Sequence, residues 1–160
     1  MAKKFLYGLL IVLVVMQLFQ PDRNVSNENL RTDIANHYKI PDTVENLLST
    51  ICYDCHSNNT DYPWFINMQP VGWYMQSKIE RGKKHLNFSE FGSLTKEQAI
   101  KKLTLIDDVM KTNRMPLRAY NWYNHNADLN DEQRKAISHW AQDLRDLIMQ
   151  DSSQALNPEK

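Results

Sequence analysis

The run Cys52-Tyr53-Asp54-Cys55-His56 contains both cysteines of the chain, and it limits the folds open to this sequence more than any other stretch. Two cysteines separated by two residues, with a histidine directly after the second, form the spacing that captures haem covalently. The thiols add across the two vinyl groups of a porphyrin, and the neighbouring imidazole becomes the proximal iron ligand. A chain organised in this way folds around a flat, largely apolar body that it does not itself encode. The same residues have other readings to be weighed. A redox-active dithiol belongs in a βαβ setting, and a zinc site using His56 needs a further cysteine or histidine pair at close spacing.

The setting is helical. Asp42 with Glu45 three residues on has the form of a capping box, and Val44, Leu47, Leu48, Ile51 and Cys55 then fall on one helical face. At i, i+3 and i+4, Cys52, Cys55 and His56 project toward the same side of the last turn. The prolines and glycine of 61–72 read as a turn-rich connector, followed by a helix from about 71 to 83. Thr95 with Gln98 predicts a capped helix running to about 112, with Ala99, Leu103, Ile106 and Met110 inward. Asn130 with Gln133 opens a last helix whose inward stripe is Ile137, Trp140, Ala141, Leu144 and Ile148. No run after the N-terminus alternates with period two, so the fold class is all-α: a small cytochrome c-like helical domain over residues 41–150. Four short helices in about 110 residues bury a modest core. A porphyrin would enlarge it, with the tryptophans and tyrosines of 62–75 and 120–123 expected as its walls.

The N-terminus differs in kind. Lys3 and Lys4 precede an apolar run over residues 5–19, broken only by Gly8 and Gln17, and the chain then turns abruptly polar. That order is the order of an export signal, and about 15 apolar residues is near the lower limit for a bilayer-spanning helix. With no small-x-small cleavage pair at its end, residues 1–20 read as an uncleaved transmembrane helix; a cleaved signal peptide is the alternative. Lysines ahead of the span keep the N-terminus in the cytoplasm. The expected location is therefore single-pass in a bacterial inner membrane, with the remaining chain facing the periplasm. Residues 21–40 read as a linker and 151–160 as a tail. With 19 basic and 19 acidic side chains the net charge is zero, which argues against a nucleic-acid partner.

A haem iron ligated by His56 has one further axial position. Met115 is the leading candidate, about 60 residues beyond the proximal histidine, after a helix, before an aromatic loop, and followed by the stiffening Pro116. Its rivals are Met68, Met75, Met110, His37, His85, His125 and His139, of which His125, in the same loop, is the most serious. His85 belongs to a basic stretch with Arg81, Lys83 and Lys84, and Arg114 is a candidate for pairing with a haem propionate.

These segments together resemble the bacterial haem-binding domain family of small c-type cytochrome-like proteins. The resemblance rests on Cys52-Tyr53-Asp54-Cys55-His56-Ser57-Asn58, the aromatic run around Tyr62-Pro63-Trp64, and His85-Leu86-Asn87-Phe88-Ser89-Glu90-Phe91. It continues through Met115-Pro116 and Tyr123, His125 and Leu129 into Asn130-Asp131-Glu132, and spans about residues 40–145. It implies one haem c held on Cys52 and Cys55, with His56 proximal and Met115 distal. One departure stands out: the family tends to carry two prolines after the methionine, and here Leu117 takes the second place.

The expected function is that of a membrane-anchored, single-haem electron carrier working with redox protein partners, not an enzyme. The alternative from another class is a haem-based sensor or small-ligand-binding, peroxidase-like protein with a labile distal site. Carrier and sensor differ in whether the sixth position is tightly held.

Overall fold

The computed structural model describes residues 2–26, 31–121, 124 and 127–155, without the side chains of 152–155. The regular structure of the described residues is helical, and the only β-type pairing among them is an isolated antiparallel bridge between Val25 and Asn59.

The N-terminal apolar run forms helix α1, Ala2–Met16, with no buried residue. It stands clear of the rest until Met16 and Gln17 become partly covered. At 1.5 Å per residue its 15 residues reach about 22 Å. The transmembrane helix expected over residues 1–20 is not met at that length: no helix among the described residues is long and apolar enough to cross a membrane. Helix α1 ends three residues before its apolar run does, where the Gln17 side chain donates to the Leu13 carbonyl.

Within 21–40, expected as a linker, residues 24–26 are hydrogen-bonded to 57–62, and a one-turn helix α2, Ile34–His37, is capped by Asp33. The capping box expected at Asp42 is absent. Pro41 takes the N-cap position of α3, Asp42–Leu47, and its carbonyl accepts from Val44 and Glu45. Asp42 and Glu45 thereby fall inside the first turn, where carboxylates complement the helix dipole. Helix α3 passes into a π-helical turn, Leu48–Cys52, and then into α4, Tyr53–His56. Such wide turns are common at functional sites.

Two long helices carry the core. Helix α6, Lys96–Lys111, opens with both bonds of the Thr95–Gln98 capping box; α8, Asp131–Ala155, opens with the reciprocal Asn130–Gln133 pair. They make the most extensive helix–helix contact in the fold. The inward stripes read from periodicity are buried on both: Ala99, Leu103, Ile106 and Met110 against Ile137, Trp140, Ala141, Leu144 and Ile148. Between them lies the buried carboxylate of Asp107, which accepts from Ser138 at 2.5 Å, Gln142 at 2.9 Å and Lys111 at 2.8 Å. The 3-10 turn Trp64–Asn67 leads into α5, Val71–His85, which packs on α4; a second, Phe88–Ser93, leads into α6. Helix α7, Arg118–Asn121, is a single turn before α8.

Candidate haem site

Cys52, Cys55 and His56 border one cavity of about 370 Å³ between α4, α5, α6 and the segment leading into α7. The π-helical turn ends at Cys52, and α4 carries Cys55 and His56 into the same wall. The rest of the lining is almost wholly apolar: Leu48, Ile51, Leu86, Phe88, Ile106, Val109, Met110, Leu129 and Ile137, with Met115, Pro116, Leu117 and Tyr120. Water is held poorly by such a wall, since each buried molecule needs two to four polar partners. An apolar ligand is suited to it.

The imidazole of His56 is oriented from behind. Its Nδ1 lies 2.9 Å from the Leu86 carbonyl. A carbonyl only accepts, so Nδ1 carries the proton and Nε2 keeps the lone pair, the arrangement of a metal-ligating histidine. Burial lowers the His56 pKa, against the opposing effect of the Leu86 bond, and so favours the neutral ring that can ligate. Leu86 is the extended residue that closes α5, so its carbonyl is turned out of the helix. The backbone around it is tied to the end of the cysteine run. Asn87 donates to Asn58 at 2.9 Å, the Asn58 amide donates to the Ser89 hydroxyl at 3.0 Å, and the Asn58 side chain donates to Glu90 at 3.1 Å.

The thiols are not poised as nucleophiles. Burial, reinforced by the neighbouring Cys55 and Asp54, pushes Cys52 up to about 12; burial and Asp54 push Cys55 up to about 11. A reactive dithiol requires the opposite shift. Both cysteines are free, and the surroundings are helical, not the βαβ setting of a dithiol oxidoreductase. Among the described residues no group of three or more His, Cys, Asp or Glu side chains is placed to hold a metal ion.

Asp54, between the cysteines, fastens the opposite wall. Its carboxylate accepts from the Tyr120 hydroxyl at 2.6 Å and from the Asp61 amide at 3.0 Å. Met115 borders the cavity ahead of Tyr120, half-buried. Arg134 of α8 donates to the Met115 carbonyl at 2.6 Å and to the Leu129 carbonyl at 3.2 Å, which pins the segment. Periodicity gave no sign of Arg134 as a positioning residue. Gly82 was equally silent: a Cβ there would lie 2.5 Å from the Cys55 carbonyl oxygen, so glycine is what lets α5 approach α4 at the cysteine.

Several sequence expectations are redistributed. Met110 also borders the cavity but is buried in α6; Met68 and His139 are exposed and Met75 lies behind the wall, all outside the lining. His37 bonds the Arg31 carbonyl, away from the site. His85 stands at the cavity rim with Arg81 and Lys78. Arg114, expected near a propionate, instead pairs with Asp108 on the surface. The aromatics of 62–75 are not the cavity walls. Trp64, Trp73 and Tyr74 are exposed, and Phe88, Tyr120 and aliphatic side chains take their place. Trp64 stands on the 3-10 turn after Pro63, and Trp73 and Tyr74 lie in the first turn of α5 after Pro70, away from the cavity lining. Of the 120–123 group, Trp122 and Tyr123 lie outside the described residues, as does His125.

The donor set fits a haem: two thiols, one imidazole with its tautomer fixed, a thioether on the same cavity and cations at the rim, around an apolar volume. Compared with known proteins, residues 11–143 match the family described as the haem-binding domain. No curated protein and no solved structure was found to match the chain.

Proposed function

Because the chain belongs to the haem-binding domain family, we propose that it is a single-haem c-type cytochrome that transfers electrons between protein partners. In this reading Cys52 and Cys55 hold one haem c through thioether bonds, His56 ligates the iron on one face and Met115 on the other. The observation that carries it is the His56–Leu86 bond, which leaves an Nε2 lone pair on a residue that shares its cavity with both thiols and with Met115.

Bound there, the haem supplies one-electron redox chemistry at its iron, and a thioether ligand raises the potential. The protein's share is enclosure and orientation. Leu48, Ile106, Val109 and Ile137 exclude water from the cavity; Lys78 and Arg81 supply positive charge at the rim for the propionates, with the His85 ring beside them. Met115 is preferred over Met110 because it sits, half-buried, on a loop clamped by Arg134, whereas Met110 is buried within α6. Lys3 and Lys4 in the first turn of α1, and the exposed apolar surface that follows them, support an inner-membrane anchor with the haem domain on the periplasmic side.

One observation favours the second reading, a haem-based sensor or small-ligand-binding protein. Met115 is held through a backbone carbonyl on a loop, and such a ligand can be labile. Visible spectra of the full chain, oxidised and reduced, with and without carbon monoxide, separate the two. A carrier stays six-coordinate and does not take up carbon monoxide when reduced. Ready uptake establishes the sensor reading, and haem that is removed by acidic organic solvent overturns covalent attachment.

A further inference from the structure

Exposed aromatic and apolar side chains gather where the end of α1 meets the rest of the fold. Trp64 is 76% exposed, Tyr74 53% and Met68 47%, with Val71 and Trp73 beside them. Scattered exposed apolar residues are ordinary, but these five fall within residues 64–74 of the chain, and a concentration of that kind marks an interaction site. This one is fastened to the end of the apolar helix. Gln17 and Gln69 exchange two bonds: the Gln69 backbone amide donates to Gln17 Oε1 at 2.9 Å and Gln17 Nε2 donates to the Gln69 carbonyl at 3.2 Å; Gln69 Nε2 also donates to Gln20 Oε1 at 2.8 Å. Gln20 donates to the Asn67 carbonyl at 3.1 Å, and the Trp73 indole donates to the Phe19 carbonyl at 2.7 Å. The patch is therefore held beside residues 17–20 and does not swing on a free tether.

The geometry points to residues 64–74 as a membrane-interface surface that lies on the lipid headgroup layer and fixes the orientation of the haem domain. The inference rests on the reading of α1 as a membrane anchor. All of α1 up to Val15 is exposed and apolar after Lys4, so a bilayer that takes up α1 brings its surface to the level of residues 16–20. Trp64, Trp73 and Tyr74 then stand at the depth where amphipathic rings concentrate, with the Trp73 indole N–H already satisfied by the Phe19 carbonyl. Lys78, poised over the Tyr74 ring at 5.0 Å, adds a cation at headgroup level. The hydrogen bonds between 17–20 and 67–73 hold the patch and the helix end in one unit. The cavity, bordered by Lys78 and Arg81 of the same α5, is thereby set at a fixed height above the lipid.

The test uses the haem-loaded full chain, in which thioether bonds leave an introduced cysteine as the reactive thiol. Val71→Cys lies in the patch, and Lys135→Cys lies on α8, which packs on α6 and α3. Each is treated with a charged, membrane-impermeant maleimide on vesicles of mixed phosphatidylcholine and phosphatidylglycerol. The reference is the same protein kept in solution by Leu9→Arg with Val12→Arg. Vesicle binding should slow labelling of Val71→Cys several-fold and leave Lys135→Cys unchanged, and adding Trp64→Ser with Tyr74→Ser should restore the rate at 71 while the chain still floats with vesicles. Equal rates at 71 in both states, with flotation intact, overturn the interface and leave the anchor standing. A full chain that does not float overturns the anchor reading and the interface with it. The haem spectrum of each variant reports that the domain is folded.

Discussion

His56 Nδ1 and the Leu86 carbonyl lie 2.9 Å apart, and this contact joins two segments separated by 30 residues. The histidine comes from the end of α4 and the carbonyl from the residue that closes α5. What keeps them together is the set of side-chain bonds linking Asn58 to Asn87, Ser89 and Glu90. Ligand orientation at the iron is thus a property of the 57–59 and 87–90 segments as much as of the histidine itself.

Asn87→Ala tests that relationship. The variant loses the bond to Asn58 and the cap on the Ser89 amide. The expected cost is about 1 kcal/mol, within the range for a lost cap, seen as a lower denaturant midpoint. The haem should remain attached, since Cys52, Cys55 and His56 are untouched. A loosened imidazole should broaden the low-spin signals of the oxidised protein by electron paramagnetic resonance. Unchanged signals alongside lowered stability would assign Asn87 a purely structural role.

Gly82→Ala tests how closely α5 must approach the cysteine. The new methyl would meet the Cys55 carbonyl oxygen at 2.5 Å and Cys55 Cβ at 3.3 Å. Backbone cannot yield as a flexible side chain can, so α5 must shift. Overpacking of this kind costs roughly 1–3 kcal/mol, despite the better helix propensity of alanine. A lower midpoint together with a reduced yield of attached haem is expected. Gly8→Ala, in open space on α1, should leave both measurements unaltered.

Asp107 makes stability sensitive to acid. Burial alone would raise its pKa, but hydrogen bonds from Lys111, Ser138 and Gln142 and the Lys111 charge outweigh it and hold the carboxyl at about 2. A group whose pKa is lowered on folding stabilises the protein above its unfolded value, here near 3.8. That contribution is lost as pH falls through the folded value. It amounts to on the order of 1–2 kcal/mol once partial solvent screening is allowed for. Between pH 4 and about 2 the wild type should lose this increment. Asp107→Asn should be less stable at neutral pH and show a flatter acid limb in urea titrations at successive pH values.

Much of the fold was legible in the sequence because it is written in local signals. The Thr95–Gln98 and Asn130–Gln133 pairs cap α6 and α8 as read, and the period of Ala99 to Met110 and of Ile137 to Ile148 marks their buried faces. Asp42 failed as a cap because Pro41 competes for that position and has the extended backbone the N-cap needs. The gathering of Cys52, Cys55 and His56 follows from their spacing, and Met115 was picked from its loop context. Positions defined only by tertiary approach left no such mark. Gly82 is one glycine in a helical run until α4 packs on it, and Arg134 is one surface-patterned arginine until Met115 lies beneath it. The aromatics of 62–75 misled for a related reason. Composition says that a tryptophan has apolar area to cover, but not whether haem, core or another surface covers it.

Arg134 gives the sharpest test of the sixth ligand, because it reaches the Met115 segment from α8 without bordering the cavity. Met115→Ala should remove the thioether, leave the reduced iron open to carbon monoxide and lower the potential. Met110→Ala also deletes a methionine at the cavity, but a buried one on α6. It should cost about 2–5 kcal/mol of stability while the six-coordinate spectrum persists in the folded fraction. Arg134→Ala should fall between them, keeping the methionine and losing the bonds to the Met115 and Leu129 carbonyls. The resting spectrum should then match wild type, while carbon monoxide binds the reduced protein faster because the loop opens more often. Arg134→Lys, which retains charge but not the forked donor geometry, should recover only part of the difference. If Met115→Ala keeps the wild-type reduced spectrum, the thioether is not the ligand, and a histidine such as His125 takes its place.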